Sequence, residues 1–364
     1  MREIVSTTIV TDLMFTKAKS MSFPRQVTTG HDVLPQIGRM CKDFDLKGTG
    51  VIVTGGTALR LAAKPVHDIL HETGYEVQFA EVGPATIENV KKVEIIAKET
   101  KASFLVGVGG GSKIDIAKKA AADIGIPFIS VPTAASHDGI ASPRASIKDG
   151  NSPISIDAKV PLGVLADTGI ILKSPYRLLA SGCADVISNA TAVLDWELAE
   201  RLRHEEFSSS AAAVASYTAE AMIASADAIK PNLEESVWLA IKPMIVSGIA
   251  MSVAGSSRPT SGSEHMFSHA LDILAPGKAL HGEQCGIGTI MMMYLHGGDW
   301  KRIRDALLKI GAPTTARELG LSKEIIIEAL VKAHSIRPER YTILGDKGLT
   351  YEAAEKLAYT TKVL

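Results

Sequence analysis

The segment that most constrains this chain is residues 104–118, where an apolar strand leads into three consecutive glycines and then an amphipathic helix. Glycines at a strand-to-helix turn let backbone N–H groups approach a phosphate with no Cβ in the way. A helix that begins at Ser112 would add free N–H donors and a partial positive charge. Each glycine costs about 0.5–1 kcal/mol of chain entropy. Three in a row therefore favour a phosphate-binding turn over an ordinary tight turn.

The first half of the sequence alternates short apolar strands with helices. Residues 50–54, 76–82, 104–108 and 127–131 have strand character. Helical spacing separates them, and Thr86 is placed to cap one of these helices. This alternation predicts βαβ units and a Rossmann-like parallel sheet covered on both faces. Residues 142–148 and 161–167 are expected to pair with each other and close this half.

After Ser174-Pro175 the pattern becomes helical and rich in alanine. We therefore predict two domains: an α/β dinucleotide-binding domain over residues 1–172 and an all-α metal- and substrate-binding domain over residues 173–364. A cleft between two such halves is a preferred place for a ligand.

Composition limits the class of protein. The 39 basic and 40 acidic residues give a net charge of −1, and no basic block points to nucleic acid or an anionic membrane. The most apolar long run, residues 238–255, is broken by Lys242 and Pro243, and residues 1–15 lack a signal-peptide pattern. Three widely spaced cysteines indicate a reducing compartment. We expect a cytoplasmic protein that is not inserted in a membrane, with enough apolar surface for a homo-oligomer.

Three polar segments interrupt the helical half: residues 182–189, 258–272 and 280–288. They bring together Asp185, His265, His269 and His281, and the first two histidines are four residues apart, on one face of a helix. One carboxylate and two imidazoles can hold Zn²⁺ or another divalent ion and leave positions open for a substrate. Histidines are also common as hydrogen-bonded structural residues, but three within 17 residues, beside glycines and acids, favour a metal site.

Two cysteines lie in the same polar segments. Cys183 and Cys285 could supply thiolate ligands to zinc, or they could be ordinary buried core residues. The sequence does not choose between the nitrogen–oxygen ligand set and one that includes sulfur.

A polar run, residues 132–143, follows the predicted strand 127–131 and contains Thr133, Ser136, Asp138 and Ser142. Hydroxyl groups at the carboxyl end of a parallel strand lie where α/β sheets receive ligands. A polar surface loop with an Asp-Gly turn is the alternative.

The combined motifs resemble those of the glycerol dehydrogenase and iron-containing alcohol dehydrogenase superfamily, and within it the sn-glycerol-1-phosphate dehydrogenase family. The resemblance covers most of the chain and is carried, in order, by GVGGGSKIDIAK, PTAASHDGIASPRASI, GCADVISN, RPTSGSEHMFSHALD and LHGEQCGIGT. It implies a dehydroquinate synthase-like architecture, in which a Rossmann-like α/β domain precedes an all-α domain.

The resemblance also assigns residues to roles. The implied contacts to NAD(H) or NADP(H) are Gly109, Gly110, Gly111, Ser112, Lys113, Asp115, Thr133, Ser136 and Ser142. The implied ligands of one divalent metal ion per subunit, with Zn²⁺ favoured, are Asp185, His265 and His281. Asp138 and His269 match catalytic positions near the substrate, which Asp185 would also contact.

The implied reaction is reduction of dihydroxyacetone phosphate to sn-glycerol 1-phosphate for archaeal-type ether lipid synthesis. Relatives restricted to NAD often have an aspartate after the first strand, whereas residues 53–57 here contain no acid, so we expect both NADH and NADPH to work. Arg144 and Arg258 are candidates for the substrate phosphate by charge alone. The alternatives are a glycerol dehydrogenase, a dehydroquinate synthase-like lyase and a non-catalytic nucleotide-binding module.

Overall fold

The computed structural model of this protein describes residues 18–149 and 152–364. The expectation about residues 1–15 falls outside this part of the chain. The described strands are β1 (Gln26–Gly30), β2 (Thr49–Thr54), β3 (Glu76–Glu81), β4 (Ala102–Gly109), β5 (Phe128–Pro132), β6 (Arg144–Asp149), β7 (Ser152–Asp157) and β8 (Gly163–Asp167).

Five α-helices accompany these strands in the described residues: α1 (Ile37–Asp43), α2 (Lys64–Glu72), α3 (Ile87–Glu99), α4 (Gly111–Ile124) and α5 (Thr168–Leu172). A π-helical turn, Leu59–Ala63, leads into α2, and a 3-10 turn, Asp138–Ile140, lies after β5. Thr86 caps α3 as predicted, because its hydroxyl accepts the N–H of Asn89.

Six strands form one parallel sheet in the order β1-β8-β5-β4-β2-β3. Alternate residues of β2 and β4 face opposite sides: Ile52 and Phe104 belong to one apolar cluster, whereas Val51 and Leu105 belong to the other. The predicted parallel α/β sheet is therefore confirmed. The edge strand β1 was not predicted, since its sequence QVTTG is short and polar.

The predicted pairing of residues 142–148 with 161–167 is wrong. β6 pairs antiparallel with β7 in a separate two-stranded sheet, and β8 lies between β1 and β5 in the parallel sheet. β6 and β7 are neighbours in sequence, so a hairpin forms locally. β8 is buried along its whole length, as interior strands of parallel sheets are.

Beyond Lys173 the described elements are helical. The α-helices are α6 (Tyr176–Ile187), α7 (Asn189–Arg203), α8 (Ser209–Ala224), α9 (Glu234–Ala254), α10 (Ser263–Leu274), α11 (His281–Leu295), α12 (Trp300–Ile310), α13 (Ala316–Leu319), α14 (Lys323–Ala333) and α15 (Tyr351–Thr360). Two 3-10 turns, Arg258–Thr260 and His334–Ile336, precede α10 and follow α14. α11 packs against both α6 and α10, which brings the three polar segments of the sequence together.

Among the described helices, α9 is long and apolar enough to cross a membrane by length and composition. Most of its apolar window is buried inside the protein, with Val237, Ile241 and Met244 in the helical core. A buried central helix of a globular fold has the same composition.

Candidate active site

The glycine turn lies at the carboxyl edge of the parallel sheet. It follows strand β4, which pairs with β2. The chain adds β3 on one side of β2 and then β4 on the other, so the direction in which strands are added reverses between β2 and β4. Open α/β sheets bind ligands at this kind of position. Gly111 begins α4, and a Cβ built there would lie 1.7 Å from Nε2 of His137. A larger residue at this position would therefore force the His137 ring to move.

A cavity of about 370 Å³ extends from this turn into the helical half. Among the residues assigned to cofactor binding, those that line it are Gly111, Ser112, Asp115, Ser136 and Ser142. The others lie beside the turn: Thr133 donates its N–H to the Gly109 carbonyl, and the Lys113 ammonium donates to the Gly83 carbonyl. Their contacts with a cofactor remain predictions.

Asp115 and Ser142 are held by a buried lysine. Lys118 is fully buried, and its ammonium donates to Asp115 Oδ1 at 3.1 Å, to Ser142 Oγ at 3.3 Å and to the Gly139 carbonyl at 2.6 Å. Asp115 Oδ2 accepts the N–H of Ser146 on β6. These bonds fix the hairpin and the loop after β5 against α4, so they set the shape of the cavity wall.

The candidate metal centre lies on the opposite wall. Asp185 on α6, His265 on α10, and His281 and Cys285 on α11 each offer one ligand atom, and these atoms all lie within 4.8 Å of one another. Asp185 Oδ1 is 3.7 Å from His265 Nε2 and 3.6 Å from His281 Nε2. Asp185 therefore lies close to two histidines that are 80 and 96 positions away in sequence, as the predicted ligand set requires.

The Asp185 carboxylate has one satisfied and one free oxygen. Oδ2 accepts the N–H of Asp138 at 3.0 Å, whereas the buried Oδ1 has no hydrogen-bond partner among the described residues. Burial raises the pKa of Asp185, and burial together with the Asp185 charge raises the pKa of Asp138. A buried carboxylate oxygen that faces two imidazoles is the donor set of a divalent metal ion, so the residues present fit such an ion.

Hydrogen bonds orient both imidazoles. His265 Nδ1 is 2.9 Å from Glu264 Oε1, and His281 Nδ1 is 3.1 Å from Ser268 Oγ. In each ring Nε2 is left to face Asp185. Carboxylate or hydroxyl partners of this kind fix the tautomer of a metal-ligating histidine. Burial lowers the pKa of His265 and His281, which keeps both rings neutral and able to bind a metal.

The two cysteines have different surroundings. Cys183 lies in the apolar core of the helical half, away from the cluster, whereas Cys285 Sγ is 3.6 Å from His281 Nε2. Burial and the charges of Asp185 and Glu264 raise the pKa of the Cys285 thiol. Cys285 lies within reach of the same position as the nitrogen and oxygen ligands, and the choice between the two ligand sets stays a prediction.

Asp138 and His269 lie in the same cavity as the cluster. Asp138 Oδ2 accepts the hydroxyl of the fully buried Ser247 at 2.8 Å. His269 follows His265 by one helical turn, with the ring centroids 6.5 Å apart, and its buried Nδ1 has no hydrogen-bond partner among the described residues. Both side chains are thus placed to meet a substrate beside the metal centre.

Several residues of the site were not predicted from the sequence. His137 and Arg337 line the cavity, Glu264 orients His265, and Ser247 supports Asp138. Glu264 is next to the predicted ligand His265 in sequence, so the sequence could have indicated it as a partner of that histidine. Ser247 is one of three serines in the apolar helix α9, and nothing in the sequence marks it out from the other two.

Comparisons with known proteins identify the family of the chain. A sequence model of the family described as iron-containing alcohol dehydrogenase matches residues 28–175. The chain is 58% identical over 347 residues to glycerol-1-phosphate dehydrogenase (NAD(P)+) of Methanosarcina mazei, covering 95% of this chain and 97% of that protein. It is 57% identical to the protein of the same name from Methanothermobacter thermautotrophicus, covering 95% and 99%. The chain belongs to the glycerol-1-phosphate dehydrogenase family.

The fold of this family member is similar to that of solved structures along nearly its whole length. Glycerol dehydrogenase from Schizosaccharomyces pombe has a TM-score of 0.73 at 18% identity and covers 95% of this chain and 91% of its own. NADH-dependent butanol dehydrogenase A from Thermotoga maritima has a TM-score of 0.73 at 18% identity and covers 95% and 98%. These structures support the predicted α/β plus all-α architecture.

Proposed function

We propose that this protein reduces dihydroxyacetone phosphate to sn-glycerol 1-phosphate with NADH or NADPH, at one divalent metal ion per subunit. The product would enter archaeal-type ether phospholipid biosynthesis. The observation that carries the proposal is the convergence of Asp185, His265 and His281 in a cavity that also reaches the glycine turn. The names of the relatives, which specify glycerol-1-phosphate and NAD(P)+, support the substrate and the cofactor.

Asp185, His265 and His281 are the proposed metal ligands. Zn²⁺ is the proposed ion, because neutral imidazoles and one carboxylate with open positions make up a common catalytic zinc site. When bound, such an ion supplies Lewis-acid polarisation of a ketone oxygen, and the reduced nicotinamide supplies the hydride.

The other residues prepare the substrate and cofactor. The backbone of Gly109, Gly110 and Gly111 and the start of α4 would hold the pyrophosphate, while Ser136 and Ser142 approach the nicotinamide half from the loop after β5. Asp138 and His269 are proposed to hold and move the proton that the new hydroxyl group needs, since both line the cavity beside Asp185.

We also propose a domain division, a cellular location and an oligomeric state for this protein. Residues 1–172 would form the dinucleotide-binding domain and residues 173–364 the metal- and substrate-binding domain. The protein would act in the cytoplasm as a homo-oligomer, which light scattering coupled to size-exclusion chromatography measures directly.

The deciding experiment is NADH oxidation with dihydroxyacetone phosphate, with and without a chelator, followed by determination of product stereochemistry. We expect a chelator-sensitive reaction that yields the sn-1 phosphate and also proceeds with NADPH. Faster turnover of glycerol than of glycerol 1-phosphate would indicate a glycerol dehydrogenase, and no net NADH consumption would indicate lyase chemistry. Reduction that persists after complete metal removal would refute the proposed role of the cluster.

A further inference from the structure

A second cavity, of about 540 Å³, adjoins the active-site cavity and is strongly basic. Its cationic lining residues are Arg144, Lys332, Arg337 and Arg340, and its acidic one is Glu339. Four lining residues are common to both cavities: Arg144, Ser155, His269 and Arg337. The positively charged second cavity therefore adjoins the part of the active-site cavity where His269 would contact a substrate.

Among the cations of the described residues that line the second cavity, Arg337 is the one that also lines the active-site cavity and has no ion-pair partner; Lys332 has none either but lines only the second cavity. Arg337 directly follows the 3-10 turn His334–Ile336, which packs against α10, the helix of His265 and His269. In the described part of the chain its partly buried guanidinium has no carboxylate within 4.0 Å and no side-chain hydrogen bond, whereas Arg258 is paired with Glu205. An unpaired charge in a partly buried position is less well solvated than in bulk water, so an anion is a favourable partner for it.

The neighbouring arginines are already engaged. Arg144 pairs with Asp157 and donates to the Ser155 carbonyl at 2.8 Å. Arg340 donates to the Ser261 carbonyl and to Ser257 Oγ. Burial lowers the pKa of both Arg337 and Arg340, so a nearby anion would stabilise the charged form of each.

We propose that Arg337 binds the phosphate group of the substrate, with Arg340 held beside it as a second positive charge. The inference rests on the proposed function. A phosphate monoester carries about 1.5 to 2 negative charges near neutral pH, and the guanidinium fork can donate two parallel hydrogen bonds to its oxygens. Arg337 lines both cavities, and the proposal places the substrate phosphate in the second one, which does not include the glycine turn.

The assignment differs from the two arginines suggested by charge alone. Arg258 is 3% exposed, is paired with Glu205 and lines neither cavity, so it is not available to a substrate. Arg144 lines both cavities, but its charge is balanced by Asp157.

The test compares wild type with Arg337→Gln and Arg337→Lys. For Arg337→Gln we expect KM for dihydroxyacetone phosphate to rise by about 30- to 5000-fold, the effect of removing one partner of a buried charge pair. KM for NADH and kcat/KM for unphosphorylated dihydroxyacetone should stay unchanged. Arg337→Lys should raise KM for dihydroxyacetone phosphate less, because lysine keeps the positive charge but cannot donate the two parallel hydrogen bonds of a guanidinium. Arg201→Gln is the control, since that side chain is exposed and, among the described residues, pairs only with Glu197 on the same helix.

A binding measurement separates this inference from the proposed reaction. Calorimetric titration with inorganic phosphate, on metal-free protein saturated with NAD+ so that the glycine turn is already occupied, should detect binding to wild type and to Arg201→Gln, and at least tenfold weaker binding to Arg337→Gln. This comparison remains valid if wild type does not reduce dihydroxyacetone phosphate, an outcome that would refute the reaction alone. Three results for Arg337→Gln would each overturn the inference. They are an equal loss of kcat/KM with phosphorylated and unphosphorylated substrates, a raised KM for NADH, and phosphate binding as tight as in wild type.

Discussion

Replacing Asp195 by alanine should weaken the helical half and its metal centre together. This carboxylate is fully buried on α7. Its Oδ2 accepts the N–H and the hydroxyl of Ser263, both at 2.6 Å, and its Oδ1 accepts the N–H of Ile343 at 2.7 Å and lies 3.1 Å from His296 Nε2. Ser263 is the first residue of α10, the helix that carries His265. Asp195 therefore anchors the helix that supplies a metal ligand.

The cost follows from these bonds. A hydrogen bond to a charged group contributes about 1.5–3 kcal/mol, but bonds to one carboxylate are not additive. Removing one partner of a buried ionic network costs about 3–5 kcal/mol, so we expect Asp195→Ala to lower the free energy of unfolding by about 4 kcal/mol. A chain of 364 residues has an unfolding entropy of about 0.76 kcal/mol/K, so Tm should fall by about 5 °C.

The assay is thermal and urea unfolding followed by circular dichroism, with zinc titrations on the same samples. Glu197→Ala is the matched control, because it removes a carboxylate two positions along the same helix whose side chain is 42% exposed. It should change stability by no more than about 0.5 kcal/mol. Zinc affinity should fall for Asp195→Ala and not for Glu197→Ala. If the two variants are equally stable, the buried carboxylate does not anchor α10 and the reasoning fails.

Three further outcomes are expected. Burial raises the pKa of Asp185, so metal binding must displace its proton: affinity should rise with pH, and calorimetry in different buffers should detect more proton release at about pH 6 than at about pH 8. Because the pKa of Asp185 is raised in the folded state, the metal-free protein should be most stable at low pH and should lose stability as this carboxyl ionises. The thermal stabilisation that the metal provides should therefore grow as the pH rises, and a decrease would contradict the argument. Gly111→Ala should cost about 1–3 kcal/mol in thermal unfolding because its Cβ meets His137, whereas Gly110→Ala, whose Cβ meets open space, should not. Cys285→Ser should retain one metal ion per subunit by elemental analysis, and loss of that ion would place sulfur in the ligand set.

The sequence was informative about the fold where local pattern and tertiary context agree. Strand β4, the glycine turn and helix α4 were predictable because a buried strand, a backbone that needs no Cβ and an amphipathic helix follow one another in 23 residues. The fate of β8 was not predictable, because an apolar segment such as GVLAD can pair with any buried strand of suitable length. Its partners, β1 and β5, are chosen by crossover connections that a sequence pattern does not encode.

The same contrast applies to the site. The ligand residues stand out because Asp185, His265 and His281 are polar groups within apolar helices, and the resemblance placed them in one centre. Their support is less visible. Ser247 reaches Asp138 across 109 residues of sequence, and Arg337 reaches the cavity from a turn after α14. Long-range contacts of this kind depend on packing, which periodicity alone does not specify.

One hydrogen bond explains why the centre needs both halves of the molecule. Asp138 lies in the loop after β5, and its N–H donates to Asp185 Oδ2 on α6 at 3.0 Å. This bond occupies one carboxylate oxygen and leaves Oδ1 facing His265 and His281. The loop that approaches the nicotinamide in the proposed complex therefore also fixes which Asp185 oxygen faces the metal position. Any change that separated the sheet from the helices would disturb the ligand geometry and the Asp138 side chain at once.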